Sequence, residues 1–216
     1  MFAKYGITSF CAPPTMLRMM MRADITKYDM STVEHMTTAG EALTPEIYNA
    51  FDKLKGIKIR EGFDQTETTL TVANLLGDTY KVGSIGKNIP FYDIVLLDGD
   101  GNELPTGETG EICFITPYVR GYIDLPKGDK VYKDGCLFHT GDAGEINDDG
   151  DLIVRGRVDE MFKVGGYRIE PDEVANAVTM ISGLSHAVVR GFVYRNISSI
   201  VVFYTDDVQI DPVSMR

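Results

Sequence analysis

Residues 33–60 read VEHMTTAGEALTPEIYNAFDKLKGIKIR, and this stretch decides the fold. Val33 to Thr38 suits a strand. Thr44-Pro45 then opens a helix that runs to about Leu54 and is closed by Gly56, with proline just inside the start and glycine just past the end. Ile57 to Arg60 is a second strand. A strand, a helix and a strand in succession imply a parallel pair joined by a crossover. Upstream, Ile7 to Phe10 is a short strand, broken by Pro13-Pro14 before a helix within Thr15 to Arg22. There Leu17, Met20 and Met21 share a face at helical spacing, which marks them as core. Residues 1–82 therefore read as part of a layered α/β large domain.

From about Gly83 the pattern changes. Ile94 to Leu97, Glu111 to Ile115, Gly144 to Ile146 and Leu152 to Val154 are short strands separated by Asp-Gly-rich turns. Such turns between short strands signal hairpins, so 83–158 reads as a small β-barrel-like subdomain. A polar, Gly-rich connection at 155–166 leads to a helix from Pro171 to about Met180 and strands at 186–193 and 199–204. Residues 159–216 are expected to form the start of a small α+β C-terminal domain, truncated in this chain. Met1 to Gly6 reads as the last turn of a helix and Asp211-Pro212 as the start of another. Both ends thus suggest the middle of a longer protein.

With 21 Lys+Arg against 32 Asp+Glu, the chain carries a net charge of −11. That disfavours a nucleic-acid or anionic-membrane surface, both of which need clustered cations. No apolar stretch approaches the length of a membrane span, and no signal peptide is visible at the start. Cys11, Cys113 and Cys136 are odd in number and widely spaced, which fits a reducing compartment. A cytoplasmic location is expected, and Asn196-Ile197-Ser198 is then a chance sequon. His35, His139 and His186 show no metal-ligand spacing. The turn at Asp98 fails the calcium-loop pattern at its sixth position, Glu103, and its twelfth, Thr109. Gly83-Ser84-Ile85-Gly86-Lys87 misses the phosphate-loop spacing.

Three clusters carry chemistry. Thr37-Thr38-Ala39-Gly40-Glu41-Ala42-Leu43 follows a strand, where ligands sit in parallel sheets. Glu61-Gly62-Phe63-Asp64-Gln65-Thr66-Glu67-Thr68 offers an aromatic face for a base, hydroxyls for a phosphate and a carboxylate for a metal. The third set joins Phe138-His139-Thr140-Gly141-Asp142 with Gly156-Arg157-Val158-Asp159-Glu160-Met161-Phe162-Lys163. A carboxylate can accept from both hydroxyls of a sugar diol, and an Arg can meet a phosphate with two parallel donors.

In this order the clusters resemble the adenylate-forming superfamily of acyl-CoA synthetases, luciferases and peptide-synthetase adenylation domains, over essentially the whole chain. The nearest likeness is to medium-chain acyl-CoA synthetases. The resemblance implies an AMP-forming ligase of fatty acid metabolism. A carboxylic acid would attack the α-phosphate of ATP, and the CoA thiol would then displace AMP. By motif, Gly40, Glu41 and Ala42 would line the adenine and acyl pocket, and Phe63 would stack on adenine. Thr66 would bond the α-phosphate and Glu67 would bind Mg²⁺. Asp142 would hold the ribose and Arg157 the ribose and phosphate side. Thr66, Glu67 and Arg157 would thus be the catalytic residues. Asp159 would be the hinge of the small domain, with Lys163, Gly165 and Gly166 on the loop beside the CoA channel.

Asp64 stands where the family has glycine. The family's phosphate loop would lie before Met1 and its catalytic lysine beyond Arg216, since Lys163 is not that residue. The chain alone is therefore expected to be inactive. A carrier-loading adenylation domain and a non-catalytic nucleotide-binding homologue are the alternatives. The acyl chain and oligomeric state stay open.

Overall fold

The computed structural model describes residues 2–41, 43–79, 81–116, 132–133, 137–164, 167–182, 184, 187–194 and 197–204. They form two compact units, residues 1–140 with 144–154, and residues 141–143 with 155–216. Among the described residues no helix is long and apolar enough to cross a membrane.

In the first unit, α1 (Phe2–Tyr5) leads into β1 (Ser9–Cys11), α2 (Pro14–Arg22), β2 (His35–Thr38), α3 (Pro45–Lys55) and β3 (Ile59–Gln65). β1, β2 and β3 are parallel, with Met36 opposite both Phe10 and Ile59. Pro45 occupies the first turn of α3, and Gly56 caps its end in the left-handed region, its N–H bonding to Asp52 O. That matches the expected start and stop. Leu17 of α2 and Ile47 and Phe51 of α3 are buried against Met36 and Ile59, with Met20 and Met21 packed beside them. The Met-rich stripe is core.

β3 then changes partners. Through Glu61 it pairs in parallel with β2, and from Gly62 it pairs antiparallel with β4 (Thr69–Ala73), which in turn meets β5 (Lys87–Asn88). The expected strand ended at Arg60, and the structure extends it by five residues. A second sheet has the order β10-β9-β7-β6: β6 (Asp93–Leu97), β7 (Thr109–Ile115), β9 (Leu137–Ile146) and β10 (Leu152–Arg157), with β8 (Tyr132–Lys133) paired to β9. Its described strands stay an open sheet rather than a closed barrel. Ile112, Phe114, Phe138 and Leu152 fill a second core from its inner face. In the Asp98 turn the carboxylate accepts from the Asp100 and Asn102 amides and from Asn102 Nδ2.

The second unit contains β11 (Phe162–Val164) paired antiparallel with β12 (Tyr167–Ile169), α4 (Pro171–Ser182), and an eight-pair hairpin of β13 (Ala187–Tyr194) and β14 (Ile197–Tyr204). Gly191 on β13 lies under the Phe162 ring; a Cβ there would come within 2.5 Å of it. The 155–166 connection, expected to be irregular, supplies the end of β10 and all of β11.

Candidate functional site

The first cluster is built at the carboxyl ends of β2 and β3. Beyond β2 the chain turns at Gly40, whose φ of +86° favours glycine. Glu41 follows, and its carboxylate accepts from Thr15 Oγ1 at 2.7 and 3.0 Å, tying the turn to the start of α2. Leu43 donates its backbone N–H to Glu61 Oε1 at 2.8 Å. Glu61 is only 4% exposed, so this buried carboxylate anchors the whole turn. Its anchoring role was not read from the sequence, although it stood in the second cluster. Ala42 lies outside the described residues.

The second cluster is not a loop after a strand but the tip of the β3–β4 hairpin. Thr68 N–H bonds back to Gln65 O at 3.1 Å, placing Thr66 and Glu67 at the centre of a turn. Thr66 is exposed and Glu67 half-buried. Gln65 Nε2 donates to Thr140 O at 3.0 Å, Thr71 Oγ1 donates to Phe63 O at 3.0 Å, and the Tyr92 hydroxyl donates to Thr68 O. Phe63 is half-buried, its ring 6.1 Å from that of Phe114. Register shifts between Phe63 and Asp64. This bulge takes Asp64 outward to solvent, and the positive φ of the hairpin falls on Thr69 instead. Glycine's freedom is therefore not needed at 64. Gly40, Glu41, Phe63, Thr66 and Glu67 all belong to this unit. A cavity of about 930 Å³ lies further back along the same strands, lined by Thr37, Thr38, Ala39, Glu61, Gly62 and Leu70 among others.

In the second unit, Arg157 Nη1 donates to Asp142 Oδ1 at 3.1 Å and Arg157 Nε to Asp159 Oδ1 at 3.3 Å. Asp142 is 15% exposed and Asp159 76%. Burial works against the Arg157 charge, but Asp142 and then Asp159 outweigh it and hold the guanidinium above its ordinary value. Gly141 makes the approach possible, since a Cβ there would sit 2.6 Å from Arg157 Nη2. Thr140-Gly141-Asp142 lies within the long strand β9, not in a turn. Asp159 sits in the turn between β10 and β11. Lys163 lies on β11 opposite Arg168, and Gly165 and Gly166 lie outside the described residues. The structure thus joins the expected ribose and phosphate residues Asp142 and Arg157 as an ion pair.

One group escaped the sequence reading altogether. Glu111, Cys113 and His139 converge on the face of β7 and β9 opposite Ile112 and Phe114. The alternation of Glu111 and Cys113 along one strand was its only local signal. The Cys11 thiol is exposed and the Cys113 thiol buried; Cys136, His186 and Asn196 lie outside the described residues.

A parallel sheet with turns built at its carboxyl edge places the first unit among the α/β proteins, in which ligands sit at that edge. Comparison with known proteins makes this specific. Residues 1–123 match the family described as AMP-binding enzyme, and the chain belongs to that family, within the adenylate-forming superfamily. It is 37% identical over 182 residues to the human mitochondrial acyl-coenzyme A synthetase ACSM3 and 35% identical over 182 residues to human mitochondrial ACSM5. In each case 82% of this chain and 31% of the relative are covered. The chain thus spans about a third of the length of these relatives. It superposes on the anthranilate CoA ligase AuaEII in complex with anthranoyl-AMP with a TM-score of 0.82, at 26% identity, covering 94% of this chain and 39% of that one.

The cytoplasmic location expected from the cysteines is overturned by these relatives, which are mitochondrial. Unpaired thiols indicate a reducing compartment, and such compartments are not confined to the cytoplasm.

Proposed function

We propose that the native protein carrying this chain is an AMP-forming acyl-CoA synthetase. It would activate a carboxylic acid with ATP to an acyl-adenylate and pass the acyl group to the thiol of coenzyme A. The observation that carries this reading is the pinned turn at Thr66 and Glu67, beside the Glu61-anchored turn at Gly40 and Glu41.

In the first half-reaction a carboxylate oxygen attacks the α-phosphorus of ATP and pyrophosphate leaves with the bonding electrons. Negative charge builds on the phosphoryl oxygens and the leaving group, so donors fixed in advance matter more than a protein nucleophile. Thr66, exposed at the turn, offers its hydroxyl to the α-phosphate. Glu67 offers one carboxylate, which suits Mg²⁺, an ion usually held by one or two carboxylates together with substrate phosphates. Bound there, the ion would draw off phosphate charge. Phe63 presents an aromatic edge for adenine, while Asp142 and Arg157 serve the ribose and phosphate side in their own unit. In the second half-reaction the CoA thiol attacks the acyl carbonyl and AMP leaves. Asp159 is then the hinge between two poses, and Lys163, Gly165 and Gly166 follow it on the CoA side.

The test is acid-dependent exchange of pyrophosphate into ATP by the native protein, measured beside Asp142→Ala. Charge-assisted hydrogen bonds are worth about 1.5–3 kcal/mol. The variant is therefore expected to raise the KM for ATP about tenfold to a hundredfold. Absence of acid-dependent exchange in the native protein would overturn the reading. An unchanged KM in the variant would make Asp142 an ordinary strand residue.

A further inference from the structure

We propose that Glu111, Cys113 and His139 form a binding site for a zinc-type divalent cation, separate from the nucleotide chemistry. Glu111 and Cys113 are two apart on β7, so the alternation of a strand puts both on one face. Ile112 and Phe114, on the other face, fill the core. β9 neighbours β7 and brings His139 against the pair. His139 Nδ1 stands 2.9 Å from Glu111 Oε2 and 3.4 Å from Cys113 Sγ, and one ligand atom of each residue lies within 4.8 Å of the others.

Zinc bonds of about 2.0–2.3 Å in a tetrahedron set such ligand atoms roughly 3.4–3.6 Å apart. The nitrogen–sulfur distance already meets that spacing, and the nitrogen–oxygen distance needs to open by about half an ångström, within the reach of a Glu rotamer adjustment. Nδ1 thus has a carboxylate oxygen and a thiol sulfur as neighbours, both of them metal ligands when deprotonated. A cation at the shared point engages all three.

The donor set selects the ion. Sulfur, imidazole nitrogen and carboxylate oxygen together suit a borderline-soft cation of the zinc type. Mg²⁺ and Ca²⁺ prefer oxygen alone. The charge also balances, because a carboxylate and a thiolate supply two negative charges for one dication; the Cys113 thiol gives its proton to solvent as the metal–sulfur bond forms. Cys113 is fully buried, and His139 and Glu111 are 10% and 24% exposed. In such surroundings an uncompensated thiolate would be costly, and a dication removes that cost. Among the described residues His139 Nε2 is buried without a hydrogen-bond partner. The ring's polar contacts therefore all run through Nδ1, on the side of the cluster. Three protein ligands leave a fourth position for water. A bound ion would clamp β7 to β9, the strand that reaches Asp142 three residues after His139.

The 216-residue chain, stripped with a chelator, is titrated with Co²⁺ and then with Zn²⁺. One equivalent of Co²⁺ is expected to give a sulfur-to-cobalt charge-transfer band in the near ultraviolet with tetrahedral visible bands, both bleached when Zn²⁺ displaces it. The charge-transfer band is expected to persist in Cys11→Ser and Cys136→Ser, to vanish in Cys113→Ser, and to weaken at least about tenfold in apparent affinity in Glu111→Gln and His139→Gln. Zn²⁺ alone is expected to raise the Tm of the unaltered chain, a readout that needs no variant to fold. No charge-transfer band together with no Tm rise would overturn the proposal and leave a His–Glu hydrogen bond beside a buried thiol. A band that survives Cys113→Ser would overturn it equally, by placing the ion elsewhere.

Discussion

Around the hairpin tip at Thr66 and Glu67 and the neighbouring turn at Gly40 and Glu41, side chains tie the backbone down. Gln65 reaches Thr140, Tyr92 reaches Thr68, and Glu61 holds Leu43 from a buried position. Around the turn from Arg157 to Glu160, the connections include two backbone bonds, Val158 N–H to Gly141 O and Glu160 N–H to Arg157 O, the ion pairs of a half-exposed guanidinium, and the exposed Glu160–Arg190 pair. Exposed ion pairs contribute little to stability, whereas buried hydrogen bonds are costly to leave unmade. That contrast suits the two proposed roles: a turn that would present donors to a phosphate at fixed positions is pinned, and a turn about which a segment would rotate is held by contacts that are cheap to exchange.

The largest expected effect comes from stiffening the second turn. Proline at 159 fixes φ near −65° and restricts Val158. Neither backbone bond of the turn uses the Asp159 N–H, so the substitution removes neither of them. Asp159→Pro in the native protein is expected to keep much of its pyrophosphate exchange while acyl-CoA formation falls by orders of magnitude. A parallel fall in both would mean general damage, and wild-type rates in both would make Asp159 an ordinary turn residue.

A smaller effect is expected just downstream, at the start of α4. Burial pushes the Glu170 carboxyl up; Arg155 pulls it down, and Glu173 and Asp172 push it up again, leaving it at about 7 against an ordinary 4.5. Between those values the folded chain binds more protons than the unfolded one, so this group's contribution makes stability fall as pH rises through the window. Glu170→Gln is expected to raise the urea midpoint relative to wild type at about pH 8 and to leave it nearly unchanged at about pH 5. Equal gains at both would show that charge at 170 is not the cause.

Legibility in the sequence followed the range of the interactions. Thr44-Pro45 and Gly56 are local signals, and α3 runs from Pro45 to Lys55 between them. Leu17, Met20 and Met21 read as core from helical spacing, and they pack there. β4 was not read, because Thr69 to Ala73 follows a polar, Thr-rich turn and gains its place only by pairing with β3. β9 was read as three residues, Gly144 to Ile146, instead of ten, because Thr140-Gly141-Asp142 looks like a turn. In the sheet, Gly144 makes room for Ile112 and Leu152, each within 3.0 Å of where a Cβ would stand. β11 lay in the 155–166 stretch read as a connection, and β12, just beyond it, was not read. Of the site, the residues proposed to meet nucleotide were picked out by motif order. The Glu61 anchor and the Glu111, Cys113 and His139 cluster were not, because they depend on pairings 18 to 28 residues apart.

The contrast between the pinned tip and the loosely held turn can be read directly by native-state hydrogen exchange on the 216-residue chain. Under this account the amides of Leu43, Thr68 and Asn74, which bond to Glu61 and Gln65, exchange at least about tenfold more slowly than those of Val158 and Glu160, once corrected for intrinsic rates. Equal protection in the two sets, or slower exchange at Val158 and Glu160, would contradict it.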